Sequence, residues 1–275
     1  MAESPENLEE LTKVLEYASD RSELEAAAVA LATSDNPAAL DRLGDFLRRR
    51  EFLAKLDDLE DPHTKMLHLN GVMKPLEKRP SSEAAGLCLA LGHDPNFLED
   101  SDRMDFLLLA IAAAKPMDEA AVGFFRETNE QGYFAFNAPL LAKNGSPRAL
   151  ALFEEMMQDG NVPAARRVDC LHSSVLPIRT SLPVLQSCER LMARDLEEEV
   201  AIGLIESIFD FQGKKWFGPH PPIPPGWRTA SPEVLQLVLR LAQSARARSD
   251  LPPSLQVAID ETVQNIHGLL ARRSP

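Results

Sequence analysis

Gly145-Ser-Pro-Arg-Ala-Leu-Ala-Leu-Phe-Glu-Glu-Met-Met-Gln-Asp159-Gly-Asn-Val-Pro163-Ala-Ala-Arg166-Arg-Val-Asp-Cys-Leu171 reads as a helix, a tight turn and a second helix. Ser146 is the right residue type to accept a bond from an orphan amide of the first turn. Pro147 is tolerated directly after it, because the N–H it lacks would have had no intrahelical partner. Beyond the cap, Leu150, Phe153, Met156 and Met157 fall at i, i+3, i+6 and i+7 and line one helical face. Asp159 and Gly160 then mark the turn.

The same punctuation recurs at Asn36-Pro37-Ala-Ala-Leu40 and Ser231-Pro232-Glu-Val-Leu235, and Ser4-Pro5-Glu6 opens the chain in the same way. Working outward on these signals, the sequence predicts helices over 6–19, 22–33, 37–56, 63–78, 81–92, 102–115, 117–129, 133–143, 147–158, 163–174, 180–192, 195–210, 232–248 and 253–271. Composition agrees. Among 275 residues Leu (40) and Ala (34) far outnumber Val (13) and Ile (8), and aromatics are only 6%. Strands want β-branched and aromatic side chains, and no stretch of useful length alternates with period two, so no sheet is expected.

Most of the links are short, as at Thr33 to Asn36, Leu91 to Asn96, Asn144 to Ser146 and Asp159 to Pro163. Short links make successive helices antiparallel neighbours. Helix starts near 36, 82, 118, 146, 181 and 231 are spaced irregularly, but within the range of helical-repeat units. A bundle would need fewer and longer helices than these fourteen.

The 145–171 stretch resembles a HEAT repeat, with a Pro-capped first helix, an Asp-containing turn, and a second helix carrying Arg and small residues. Residues 35–50, 180–210 and 231–266 resemble poorer copies, whereas 51–80 is hard to register and 211–230 is a long insertion. The resemblance implies an all-α, right-handed superhelical solenoid of stacked antiparallel helix pairs. It would span 1–275 as one domain with a Pro/Trp-rich insertion at 212–230. It further implies a scaffold or adaptor that binds proteins on its concave face, which the second helices line. HEAT-like folds also include DNA-base-excising enzymes and bilin-attaching lyases, so an enzyme on this frame is the alternative expectation.

Charge narrows the partners. The net charge is −13, with about −9 over 1–62, −8 over 63–212 and +4 over 213–275. An acidic body repels phosphate backbones and anionic lipid heads, so a protein partner is expected rather than nucleic acid or membrane. The longest apolar run, Phe106–Ala114, is too short to span a bilayer. The start, Met1-Ala-Glu-Ser-Pro-Glu6, has neither a basic nor an apolar leader region. With three widely spaced cysteines (Cys88, Cys170 and Cys188), these features suit reduced thiols in the cytoplasm.

Two stretches carry the candidate contacts. Gln212-Gly-Lys-Lys-Trp216-Phe217-Gly-Pro-His220-Pro-Pro-Ile-Pro-Pro-Gly-Trp227-Arg228 holds both tryptophans and five prolines. Proline framing presents aromatic anchors at little entropic cost, which nominates Trp216, Phe217, His220, Trp227 and Arg228 for a partner. The competing reading is that the rings fold back onto the last helices. The second stretch is the helix of Arg166, Arg167 and His172, where an Arg pair on a second helix could grip a carboxylate or phosphate. An Arg166–Asp169 surface pair is the plainer account. Cys170-x-His172 with Cys188 lacks the paired Cys-x-x-Cys of a zinc site. Glu197-Glu198-Glu199 suits the first turn of a helix, where carboxylates meet the positive end of the dipole. No phosphate loop, nucleophile elbow or dinucleotide fingerprint is present, and no cofactor or metal is expected.

Overall fold

The computed structural model describes residues 5–18, 21–53, 67–78, 80–99, 103–210, 227 and 230–272. Every regular element among them is helical. The chain gathers into two compact units, Met1–Phe125 and Arg126–Pro275.

In the first unit, α1 (Pro5–Tyr17), α2 (Arg21–Thr33), α3 (Pro37–Leu47), α4 (Leu67–Lys78), α5 (Ser82–Gly92) and α6 (Arg103–Ala113) fall into two rows. Helices α1, α3 and α5 pack in sequence as one row, and α2, α4 and α6 as the other. The rows are joined by the pairs α1–α2, α2–α3 and α5–α6. The proline signal works as expected at α3: the Asn36 side chain accepts from the Ala38 amide at 3.1 Å, with Pro37 next. Leu24, Leu31, Leu43, Leu47 and Leu76 are fully buried between the rows. The expected helix 37–56 is interrupted after Leu47 and resumes over 50–53. α7 (Glu119–Thr128) carries the boundary between the units.

The second unit repeats the scheme with α8 (Phe134–Asn144), α9 (Pro147–Gln158), α10 (Ala164–Ser173), the short α11 (Val175–Thr180), α12 (Leu182–Met192), α13 (Glu198–Phe209), α14 (Pro232–Arg246) and α15 (Pro253–Ala271). The helices α9, α12 and α14 form a first row, and α8, α10, α13 and α15 a second. Gly145 ends α8 in the left-handed region at φ +68°, where a Cβ would be strained, and its amide bonds the Leu141 carbonyl at 3.1 Å. That turn is what sends α9 back along α8.

Caps differ in detail from the sequence reading. Ser231 accepts from the Val234 amide at 3.4 Å, as its position predicts. The Ser146 side chain makes no capping bond and instead hydrogen-bonds the Asn144 side chain at 2.5 Å. The single helix expected over 180–192 begins at Leu182, preceded by the separate one-and-a-half-turn α11. A π-helical turn, Asn129–Tyr133, joins α7 to α8 and contains Gly132 at φ +106°.

Buried polar groups also hold the second unit beyond its apolar core. Glu154 of α9 is only 6% exposed and accepts from the Ser187 hydroxyl at 2.8 Å and from Arg190 at 2.7 and 2.9 Å, all on α12. Arg179, also buried, closes the C-terminal end of α13 by donating to the backbone carbonyls of Ser207 (2.8 Å) and Asp210 (2.7 Å). Burial pushes the Arg179 guanidinium down to about 10, so it stays cationic at neutral pH.

Candidate interaction surface

The expected contact helix is α10, and its residues part company. Arg167, Cys170 and Leu171 share the buried stripe, so Arg167 is a core residue at 2% exposure rather than half of a surface pair. Each of its three nitrogens makes a bond within the chain. Nε bonds the Val162 carbonyl at 3.0 Å, Nη1 the Met157 carbonyl at 3.1 Å, and Nη2 the Glu197 carboxylate at 2.5 Å. One guanidinium therefore joins the end of α9, the turn after it and the start of α13. Buried as it is, it presents nothing to a partner's carboxylate or phosphate.

Arg166 is exposed, but it does not form the Arg166–Asp169 pair of the plainer sequence account. Its Nη2 donates to the Gly132 carbonyl at 2.8 Å, and its guanidinium lies 5.7 Å from the centre of the Phe134 ring. His172 faces α13, its Nε2 3.3 Å from the Glu206 carboxylate, with both side chains about one-third exposed. Trp227 is 5% exposed, which fits the reading in which that ring packs inward. Trp216, Phe217, His220 and Arg228 lie outside the described residues.

The surface left between α10 and α13 is an open depression of about 460 Å³. It is lined by Val168, Ile202 and Gly203, which are buried or half-buried, and by the carboxylates of Glu198, Glu199 and Glu206, the first two exposed and the third half-buried. Glu198, Ile202 and Glu206 are spaced i, i+4, i+8 and so share one face of α13. The triplet Glu197-Glu198-Glu199 thus divides its work. Glu197 pairs inward with Arg167, and the next two carboxylates line the depression. The i, i+4 pattern was available in the sequence, but not the identity of the helix lying beside it.

Gly203 sets how closely the two helices approach. A Cβ there would come within 2.8 Å of Val168 Cγ2, closer than real side chains pack. Gly203→Ala is therefore expected to destabilise the protein by about 1–2 kcal/mol despite alanine's better helix propensity. Val168→Ala in the same chain should recover most of the loss in urea unfolding. An additive double mutant would mean that the contact is not what resists the methyl group.

The chemistry elsewhere in the unit is quiet. Burial pushes the Cys170 and Cys188 thiols up to about 12, far from a reactive thiolate. Among the described residues no group of three or more His, Cys, Asp or Glu side chains gathers to hold a metal ion, and no helix is long and apolar enough to cross a membrane. Trp227 can be tested directly. In a Trp216→Phe variant it is the sole tryptophan, and its emission should be blue-shifted and weakly quenched by iodide. Red-shifted, readily quenched emission would place the ring in water.

No protein-family model matches the chain, and no curated protein matches it. Among solved structures, a crystal structure of an engineered protein is similar over 96% of this chain and 97% of that one, at 11% identity and a TM-score of 0.28. A likeness that weak carries no argument about fold or function.

Proposed function

We propose that this chain is a protein-binding scaffold or adaptor, built as a HEAT-like stack of helix pairs, whose working surface is the face of α10 and α13. The observation that carries the reading is the two-row packing within the second unit. Rows of paired helices bury their facing sides and leave each row an open outer side. On the second row that side holds a depression lined by Val168, Ile202 and Gly203 and by three carboxylates. In a HEAT-like superhelix the second helices line the concave side, where partners dock. The buried stitches of Arg167 and Glu154 support the reading, because a surface fixed by its own core binds with little ordering cost. Trp216, Phe217, His220 and Arg228 belong to the proposal as a second contact element, whereas Trp227, expected there too, is buried and is dropped from it.

The high thiol pKa of Cys170 weighs against the alternative of a lyase that conjugates its substrate through that residue. Buried free thiols also suit a reducing compartment, and we place the protein in the cytoplasm on that ground.

The test is site-specific photo-crosslinking in the source cells. A photoreactive side chain at Ile202 should yield a discrete covalent adduct with another protein. The same group at the exposed Glu233 of α14 should not. Equal labelling at both positions, or none at Ile202, would refute the assignment of this face.

A further inference from the structure

Glu198, Ile202 and Glu206 follow one another at intervals of four along one face of α13, and all three line its depression with α10. At about 1.5 Å of rise per residue, successive members stand about 6 Å apart along the helix, with the aliphatic side chain between the two carboxylates. Val168 lines the same depression from α10. Both Val168 and Ile202 are half-buried, so each keeps part of its apolar surface in water.

Elsewhere in the second unit Glu154, Glu155, Glu189 and Glu197 are each paired with an arginine. Glu198 and Glu199 pair with no cation among the described residues. Glu206 meets only the His172 imidazole, 3.3 Å away, which carries a charge only when protonated. A first-turn position accounts for Glu198 and Glu199, because the positive end of the helix dipole favours carboxylates there. It does not account for Glu206, which stands in the last turn, where the negative end disfavours one. Arg179, which closes that end of α13, donates to backbone carbonyls and not to the Glu206 carboxylate. The face thus offers negative charge at both ends of an aliphatic centre.

We propose that this face binds an extended segment of another protein with the pattern cation–x–aliphatic–x–cation. The inference rests on the assignment of the α10–α13 face to partner binding, and it names the chemistry of the partner. In an extended chain residues i, i+2 and i+4 share one face and stand about 6.6 Å apart, close to the spacing of Glu198, Ile202 and Glu206. Arginine or lysine at the two ends meets the carboxylates, and the aliphatic residue between them meets Ile202 and Val168. A docked helix would need apolar anchors over two or more turns. The depression offers two half-buried aliphatic side chains, enough for one anchor.

The full-length protein, labelled at Ile, Leu and Val methyl groups, would be titrated by NMR with acetyl-Arg-Ser-Leu-Ser-Arg-amide. The control is acetyl-Arg-Arg-Ser-Ser-Leu-amide, which has the same composition and charge in another order. The first peptide should shift the Val168 and Ile202 methyls and saturate at about millimolar concentration, as two exposed ion pairs and one aliphatic contact allow. The reordered peptide should bind about fivefold more weakly or worse. Glu198→Gln with Glu206→Gln should weaken the first peptide about tenfold, with unliganded spectra unchanged away from α13, since neither carboxylate is buried. Glu9→Gln with Glu10→Gln removes the same charge from the exposed side of α1 and should leave binding unchanged. Equal affinity for the two peptides, shifts that do not saturate, or a Glu198/Glu206 double variant that binds as well as the parent would each overturn the proposal. A protein adduct at Ile202 without selective peptide binding would overturn this inference and leave the partner-binding face standing. Selective peptide binding without an adduct in the source cells would support this inference and count against that reading alone.

Discussion

Replacing Arg167 by alanine should cost about 3–4 kcal/mol of stability, the largest effect expected of any polar residue described. The side chain is 2% exposed, and its three bonds join the end of α9, the following turn and Glu197 at the start of α13. Truncation leaves the Met157 and Val162 carbonyls without this donor and opens a cavity of side-chain size, and both costs add. Glu197 is half exposed, so its released carboxylate returns to water at little cost. The expected order is therefore Arg167→Ala worst, with Arg167→Met and Arg167→Lys between it and the parent. Methionine keeps much of the volume, whereas lysine keeps the charge without the fork. Urea unfolding followed by far-ultraviolet circular dichroism would measure all three. An Arg167→Ala loss below about 1 kcal/mol would mean that the bonds are not formed in solution.

The second large effect is expected at Glu154. Glu154→Ala should cost about 2–3 kcal/mol, because it strands the fully buried Ser187 hydroxyl and two Arg190 bonds at the α9–α12 contact. Half of Arg190 is in solvent, so its own share is modest, and most of the loss belongs to Ser187 and the vacated space. Ser187→Ala made in the Glu154→Ala background should then be nearly silent, while on the parent it costs about 1 kcal/mol. Equal losses in both backgrounds would show that the two residues are not coupled.

Arg166 and Arg167 show what the sequence could and could not say. Both are arginines on the same predicted helix, and composition cannot separate them. Spacing separates them only in part: Arg167, Cys170 and Leu171 fall at i, i+3 and i+4, the stripe a helix buries, and Arg166 lies about 100° from Arg167 but about 40° from Cys170, at the edge of that stripe. A charged residue on an apolar stripe is the signal of a buried, fully bonded group. The helix starts at 37, 147 and 232 were readable because a proline at the first helical position is a local signal, although only Asn36 and Ser231 add the side-chain cap bond. The break at 129–133 was readable too, since the predicted helices stop at 129 and resume at 133, but not that a π-helical turn with Gly132 at positive φ fills it. The depression between α10 and α13 was half legible. The Glu198–Ile202–Glu206 face is written in the chain, whereas Val168 opposite it depends on which helices become neighbours.

The connection between α9 and α10, from Asp159 to Pro163, is short, polar and exposed over most of its length. A protein engineer choosing where to insert a tag or fluorophore would pick such a site first. Here that choice would go wrong. The Asp159 carboxylate accepts from the Asn161 amide at 2.9 Å, and the Val162 carbonyl is one of the three anchors of Arg167. An inserted segment would pull Val162 off the guanidinium, and the disturbance would reach Glu197 at the start of the helix that supplies the carboxylates of the depression. The place to splice is instead one where the backbone serves only itself.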